Sequence, residues 1–134
     1  MKYAFVLPTG DARTVADYAR DAEQAGWDGF FVWEPVWGID AWVSLTAAAM
    51  QTERIQLGTI IAANRAATTP FDIVIEGETP GDDTERAGAI VRPWVEAGAT
   101  WWIEARWEVV RNSEGRQTVS QRIKQGPPRV VSRQ

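Results

Sequence analysis

Charged and amide side chains recur at the points where the apolar runs of this sequence end. The runs that resemble strands finish in, or are followed by, Glu34, Asn64, Arg65, Glu76, Glu104 and Arg106. In parallel α/β sheets and barrels, the carboxyl ends of the strands carry the chemistry. The sequence therefore predicts a polar site at one edge of a sheet. Glu34 is its acid–base candidate, and Glu104 and Arg106 are further catalytic candidates.

The spacing of these charges leaves two interpretations open. Alternation along a strand places Glu104 and Arg106 on one face, and Glu34 ends an earlier buried strand. If both faces point into a barrel, the three charges converge at one mouth and form a catalytic site. Alternatively, they form an ion-pair cluster that neutralises buried charge. In that case we expect Glu34 to be paired with Arg106 or Arg65.

The residues that the chain lacks exclude several kinds of chemistry. The sequence contains no histidine and no cysteine. Imidazole acid–base catalysis, histidine-dependent triads, the usual zinc sites, thiolate catalysis and disulfides are therefore excluded. The adjacent pair Asp82 and Asp83 suggests a metal site or, more simply, acids that complement a helix N-terminus. We favour the second interpretation and predict no metal.

The composition indicates a globular domain. The chain has 134 residues, a formal net charge of −4 and eight tryptophans. No basic block offers a track for nucleic-acid phosphates, and no apolar run approaches the ~18 residues that span a membrane. A strand begins at once after Met1, which leaves no room for a signal peptide. We therefore expect a cytoplasmic protein that binds neither nucleic acid nor membrane.

Periodicity and breakers predict five strands alternating with four helices. The strands are expected at 3–8, 29–33, 55–61, 71–75 and 101–107, and the helices at 11–25, 41–52, 82–97 and 114–125. The expected N-terminal caps are Asp11 for the first helix, Asp40 for the second, and Asp82 or Thr79 for the third. Pro93 lies within the third helix, where we expect it to kink or interrupt the helix. Residues 1–128 are expected to form one domain and residues 129–134 a disordered tail.

Several segments together resemble one known family. They include the strand at 3–8, the stretch from Ala25 to Glu34, and further segments at 40–45, 52–59, 70–77 and 96–104. In this order they resemble the luciferase-like flavin monooxygenases, a group that includes deazaflavin-dependent oxidoreductases. The resemblance implies a parallel α/β fold derived from a (β/α)8 barrel.

The resemblance also implies that the middle of the barrel is missing. A (β/α)8 barrel needs ~200 residues or more, and the segments between the family's third and seventh strands have no counterpart here. In the parent barrel the last strand lies beside the first. We therefore expect a truncated TIM-barrel-like fold with five parallel strands in the order 3-2-1-5-4.

The resemblance implies FMN or a deazaflavin as cofactor, if the chain binds one. The cofactor-binding candidates are Trp33, Asn64, Arg65, Gly77, Thr79 and Gly81. The loop from Gly77 to Gly81 resembles the family's phosphate-side loop, although its acidic surroundings also suit a simple capped turn. The tryptophans at 33, 37, 101 and 107 suit either stacking on a flavin ring or burial in a core or interface.

The functional expectation is therefore a shortened monooxygenase or oxidoreductase whose catalysis is lost or depends on dimerisation. Many relatives carry a histidine just after the second strand's acid, whereas Glu34 is followed here by Pro35. The alternative is a non-catalytic interaction protein that uses its barrel face to dimerise or bind a partner. In either case we expect a homodimer that covers the strand edges or inner face, and a small-molecule ligand is compatible with both.

Overall fold

The computed structural model describes residues 1–33, 40–60, 72–108 and 112–130. Within them, parallel strands and helices alternate along the chain. Their bounds are β1 Lys2–Leu7, α1 Ala12–Gln24, β2 Gly29–Trp33, α2 Ala41–Ala49, β3 Gln56–Ile60, β4 Val74–Gly77, α3 Thr84–Glu96, β5 Trp101–Ala105 and α4 Ser113–Lys124.

The strands form one sheet in the order β3-β2-β1-β5-β4, and every pairing is parallel. This arrangement confirms the predicted fold class and strand order. β1 is central: Ala4 is paired with Gly29 of β2 on one side and with Ile103 of β5 on the other. In the part of the chain that the structure describes, β3 and β4 are the two edges of the sheet.

Each helix begins at a side chain that caps its first turn. Asp11 and Asp40 accept hydrogen bonds from the backbone N–H groups of Thr14 and Val43, as the sequence predicts. α3 is capped by Asp83, which accepts from Arg86 N, so the predicted caps Asp82 and Thr79 are wrong. Thr79 cannot start the helix because its N–H and hydroxyl groups both bind Glu104.

Two further local predictions are corrected. Pro93 lies in the last turn of α3 without interrupting it, since the helix continues to Glu96 and Ala97 N donates to the Pro93 carbonyl at 3.0 Å. The fourth strand runs over Val74–Gly77 rather than 71–75. Its ends are fixed by pairing with β5, where Val74 is opposite Trp101 and Gly77 is opposite Glu104.

The two faces of the sheet have different cores. Phe5 and Phe30 point towards the helices and pack with Trp27, Val15 and other members of the larger apolar cluster. The opposite face, which we call the inner face, carries a smaller cluster of Ala4, Val6, Trp101, Ile103 and Ala105, with Phe31 and Ile60 packed against it.

Small residues make room for the large rings on the inner face. The rings of Phe31 and Trp101 meet edge to face, with their centroids 6.0 Å apart. A methyl group added to Gly29 would lie 2.9 Å from the Phe31 ring and 3.1 Å from Trp101. The rings of Phe31 and Trp101 thus occupy the space that a side chain at position 29 would need.

The structure also describes the first two residues of the predicted tail. Arg129 Nη2 donates to the carbonyl of Gly26 at 2.7 Å, and Val130 N donates to the Tyr3 hydroxyl at 3.2 Å. Among the described residues, no helix combines the length and apolar character needed to cross a membrane.

Candidate functional site

At the carboxyl edge of the sheet, the strand-end side chains divide between the two faces. Glu104 is opposite Phe5 in the pairing of β5 with β1, and Phe5 belongs to the helix-side core. Glu104 therefore points towards the helices. One of the two interpretations required Glu104 and Arg106 to point into the barrel interior, and the structure corrects it; the two do share a face, as alternation predicted.

Glu104 is fully buried and bound by several donors at once. Its Oε1 accepts from Thr79 N at 2.8 Å, and its Oε2 accepts from Thr79 Oγ1 at 2.6 Å. Trp102 Nε1 donates to Oε2 at 3.3 Å. Arg122 Nε lies 3.3 Å from Oε1 and Arg106 Nη2 lies 3.4 Å from it. Both carboxylate oxygens are thus bound within the protein, which joins β5, the loop after β4 and α4.

Arg122 of α4 is the member of this cluster that the sequence did not reveal. Its Nη2 donates to Thr79 Oγ1 at 2.9 Å and its Nη1 to the Gly126 carbonyl at 2.7 Å. Burial lowers the pKa of Arg122 from its usual value, while the charge of Glu104 acts in the opposite direction. The available signal was its position next to Ile123 and three residues after Val119, on the face of α4 that the apolar residues bury.

Arg106 extends the cluster towards solvent. Its Nη1 donates to Glu78 Oε2 at 2.8 Å, and its Nη2 donates to the Thr79 carbonyl at 2.7 Å. The side chain is 22% exposed and the partner Glu78 is 47% exposed. Among the described residues, the carboxylates that pair with Arg106 are therefore Glu78 and Glu104. The catalytic roles suggested for Glu104 and Arg106 stay predictions.

The loop after β4 makes its hydrogen bonds and packing contacts within the protein. Thr79 is bound to Glu104, and the indole of Trp102 covers Gly77 so closely that an added methyl would lie 2.5 Å from it. A methyl on Gly81 would lie 1.7 Å from the Gln125 side chain. Glu78, Asp82 and Asp83 add negative charge. Gly77, Thr79 and Gly81 therefore form a closely packed turn in which both donors of Thr79 are already bound.

The inner face presents a different group at its carboxyl edge, which we call the aromatic mouth and define as Trp33, Trp107 and Glu76. The rings of Trp33 and Trp107 meet edge to face, with centroids 5.6 Å apart and an angle of 86°. Trp107 Nε1 donates a hydrogen bond to Glu76 Oε1. The tryptophans are 39% and 41% exposed, so each offers ring surface to a ligand.

The remaining predicted site residues lie outside the described residues. They are the acid–base candidate Glu34, the candidates Asn64 and Arg65, and Trp37 among the possible stacking residues. The sequence suggested Glu76 only as one of several strand-end acids. Its position beside Trp107 depends on the register of β4 against β5, in which Glu76 is opposite Ile103 of the inner face.

The described residues fit one part of a flavin-type cofactor. Flat conjugated rings pack well against exposed tryptophan, and the aromatic mouth supplies two such rings with a carboxylate beside them. The phosphate of such a cofactor has no similar match in the loop after β4, which the sequence suggested as its binding site. Both donors of Thr79 in the loop after β4 bind Glu104, and the two arginines that reach this loop, Arg106 and Arg122, are already paired with carboxylates.

Comparison with known proteins agrees with the topology. The luciferase-like monooxygenase family matches residues 3–73, just over half of the chain, and the match spans β1 to β3. No curated protein matches the chain. Beyond the matched range, β5 lies against β1, as the last strand of the family's barrel lies against the first. The chain therefore belongs to the luciferase-like monooxygenase family.

Proposed function

We propose that this chain binds the ring system of a flavin-type cofactor, FMN or a deazaflavin, at the aromatic mouth. The observation that carries this proposal is the pair of half-exposed tryptophans, Trp33 and Trp107, at the carboxyl edge of the inner face. In TIM-barrel enzymes, ligands are held at that edge. When bound, such a cofactor supplies hydride transfer or oxygen activation, while the protein supplies orientation and electrostatics.

We propose further that the chain does not turn over flavin-dependent substrates by itself. The sequence has no histidine, and both donors of Thr79, in the loop after β4, bind Glu104. Thirteen residues, 61–73, separate β3 from β4, and this length is too short for the several further strands and helices that the family's barrel has at this point. The chain's own contribution is therefore to stack on the ring and to place the Glu76 carboxylate beside it.

Titration of tryptophan fluorescence with riboflavin and FMN tests the binding proposal. Because the ring is held and the phosphate is not, the two ligands should bind with dissociation constants within about threefold of each other. A phosphate site would instead make FMN at least about tenfold tighter. Absence of saturable binding of either ligand up to about 1 mM would overturn the proposal.

A matched pair of variants locates the binding site. Trp107→Leu should weaken riboflavin binding by about tenfold, because it removes one ring and frees Glu76. Trp94→Leu changes a tryptophan that is 44% exposed in the last turn of α3, and because α3 leads into the amino end of β5, it lies at the opposite edge of the sheet, so binding should be unaltered. Equal losses in both variants would place the flavin elsewhere.

The proposed lack of turnover has its own test, which is oxygen uptake by the chain in the presence of reduced flavin. Oxygen uptake that depends on an added substrate would contradict this proposal.

A second function, dimerisation through the barrel face, is favoured by the apolar residues at the β4 edge. Ile73 and Val74 are 40% and 50% exposed beside an edge strand. An exposed apolar edge invites pairing with another chain. A second copy related by a two-fold axis would cover this edge and the mouth with one self-complementary contact. This interaction needs no cofactor, so the mass of the protein in solution tests it separately.

A further inference from the structure

A cavity of about 290 Å³ lies on the helix side of the sheet. It is at the carboxyl end of β1, between the first turns of α1 and α4. Leu7 and Val119 line it, and both belong to the helix-side core. Tyr18 also lines it and donates from its hydroxyl to the Arg116 carbonyl at 2.7 Å, which ties α1 to α4 beside the cavity. The cavity is therefore on the opposite face from the aromatic mouth.

The charged groups around this cavity favour an anion. Among the described residues that line it, Arg106 and Arg116 are positive and Asp11 is the carboxylate, while Arg106 is also paired with Glu78 and Glu104. Asp11 is already occupied, since it accepts from Thr14 N at 2.8 Å as the cap of α1. Arg116 is exposed and takes part in no ion pair among the described residues. Its guanidinium thus has hydrogen-bond donors to offer a ligand.

Arg106 adds a second positive charge at the edge of the cavity. Its Nη atoms bind Glu78 and the Thr79 carbonyl, and its Nε is enclosed by protein atoms and has no hydrogen-bond partner within the described parts of the chain. The side chain is 22% exposed, so its charge can attract an anion while these hydrogen bonds hold it in place.

We propose that this cavity binds a small organic anion, an acidic head group on an apolar body. The head group is held by Arg116 and Arg106, and the body lies against Leu7 and Val119. The volume is at the lower end of the range for small-molecule sites, ~300–1,000 Å³. Carboxylates and phosphate monoesters share this chemistry, because a guanidinium binds both through paired N–H donors.

Isothermal titration calorimetry of the full chain tests the proposal with three probes that share a phenyl ring. Benzoate and phenyl phosphate carry an anion, and benzyl alcohol is neutral. At least one of the anions should bind saturably and about tenfold more tightly than benzyl alcohol. The tighter of the two identifies the head group. Binding of neither anion up to about 10 mM, or equal binding of benzyl alcohol, would overturn the proposal.

Three variants test the location. Arg116→Gln removes an exposed guanidinium and should weaken the bound anion by about fivefold or more. Arg86→Gln removes an exposed arginine of α3 and should leave the affinity unchanged. Thr14→Phe fills the cavity and should abolish binding, with thermal melting used to show that the variant is folded. Equal losses for the two arginine variants, or full affinity in folded Thr14→Phe, would place the anion elsewhere.

Discussion

The Nε atom of Arg122 lies 3.3 Å from Oε1 of Glu104, and the two side chains are 4% and 0% exposed. This buried pair joins the last described helix to the strand beside β1. Thr79 binds both partners: its hydroxyl donates to Glu104 and accepts from Arg122. The cluster therefore fixes α4 and the loop after β4 on the sheet. Its removal should lower the free energy of unfolding of the whole domain.

Glu104→Gln should lower the free energy of unfolding by about 3 kcal/mol, because it leaves the Arg122 charge buried without its partner. Urea denaturation measures the change. Glu96→Gln, at an exposed position near the end of α3, is the matched control and should change stability by less than about 0.5 kcal/mol. The double variant Glu104→Gln with Arg122→Met should lose less than the sum of the single variants. Strict additivity would show that the two charges act independently.

Gly77→Ala should destabilise the domain by about 1–3 kcal/mol, because the new methyl would meet the Trp102 indole at 2.5 Å. Gly88→Ala is the counterpart on α3. There the new methyl finds its nearest neighbour at 3.8 Å, so the helix should gain about 0.5–1 kcal/mol. Thermal melting distinguishes the two variants, because the melting temperature should fall for Gly77→Ala and rise for Gly88→Ala. A neutral Gly77→Ala would mean that Trp102 rotates away without cost.

The stability of the domain should fall in acid partly through Glu23. Burial raises the pKa of Glu23, but hydrogen bonds from the backbone N–H groups of Arg54, Ile55 and Glu53 outweigh it and lower the pKa from its usual value. Because the folded-state pKa is the lower one, ionised Glu23 stabilises the native state. That contribution is present above about pH 5 and is lost as the pH falls towards about 3.

Glu23→Gln should therefore destabilise the domain at neutral pH and approach the parent protein in stability at about pH 3. Urea denaturation at both pH values measures this convergence. Glu53→Gln is the control, because Glu53 is exposed and contributes its backbone N–H rather than its side chain. A stability difference between Glu23→Gln and the parent that does not depend on pH would contradict the assignment.

In solution we expect a dimer that buries the β4 edge. Light scattering at micromolar concentration should give a mass near twice 14.9 kDa. Val74→Lys should shift the protein to monomer, because a lysine on an edge strand opposes pairing. Val43→Lys places the same charge on α2, where the parent valine is 58% exposed, and should leave the dimer intact. A mass of one chain at all concentrations would exclude this interface.

The sequence by itself determined the elements and their order. Local signals suffice for this, because a capping aspartate such as Asp11 and the apolar run from Phe30 to Trp33 act within a few residues. The strand order followed from the family resemblance, since the pairing of β5 with β1 joins segments about a hundred residues apart. The sequence also identified Glu104 and Arg106 as polar residues at a strand end, and Thr79 as a candidate in the loop after the fourth strand.

Only the tertiary structure decided which face each side chain uses. Alternation shows that Glu104 and Arg106 share a face, but not whether that face points to the helices. The register of β5 against β1 placed Glu104 opposite Phe5, on the helix side. The same register left Trp107 on the other side, against Trp33. A shift of one residue would have exchanged these two groups, because side chains alternate between faces with a period of two.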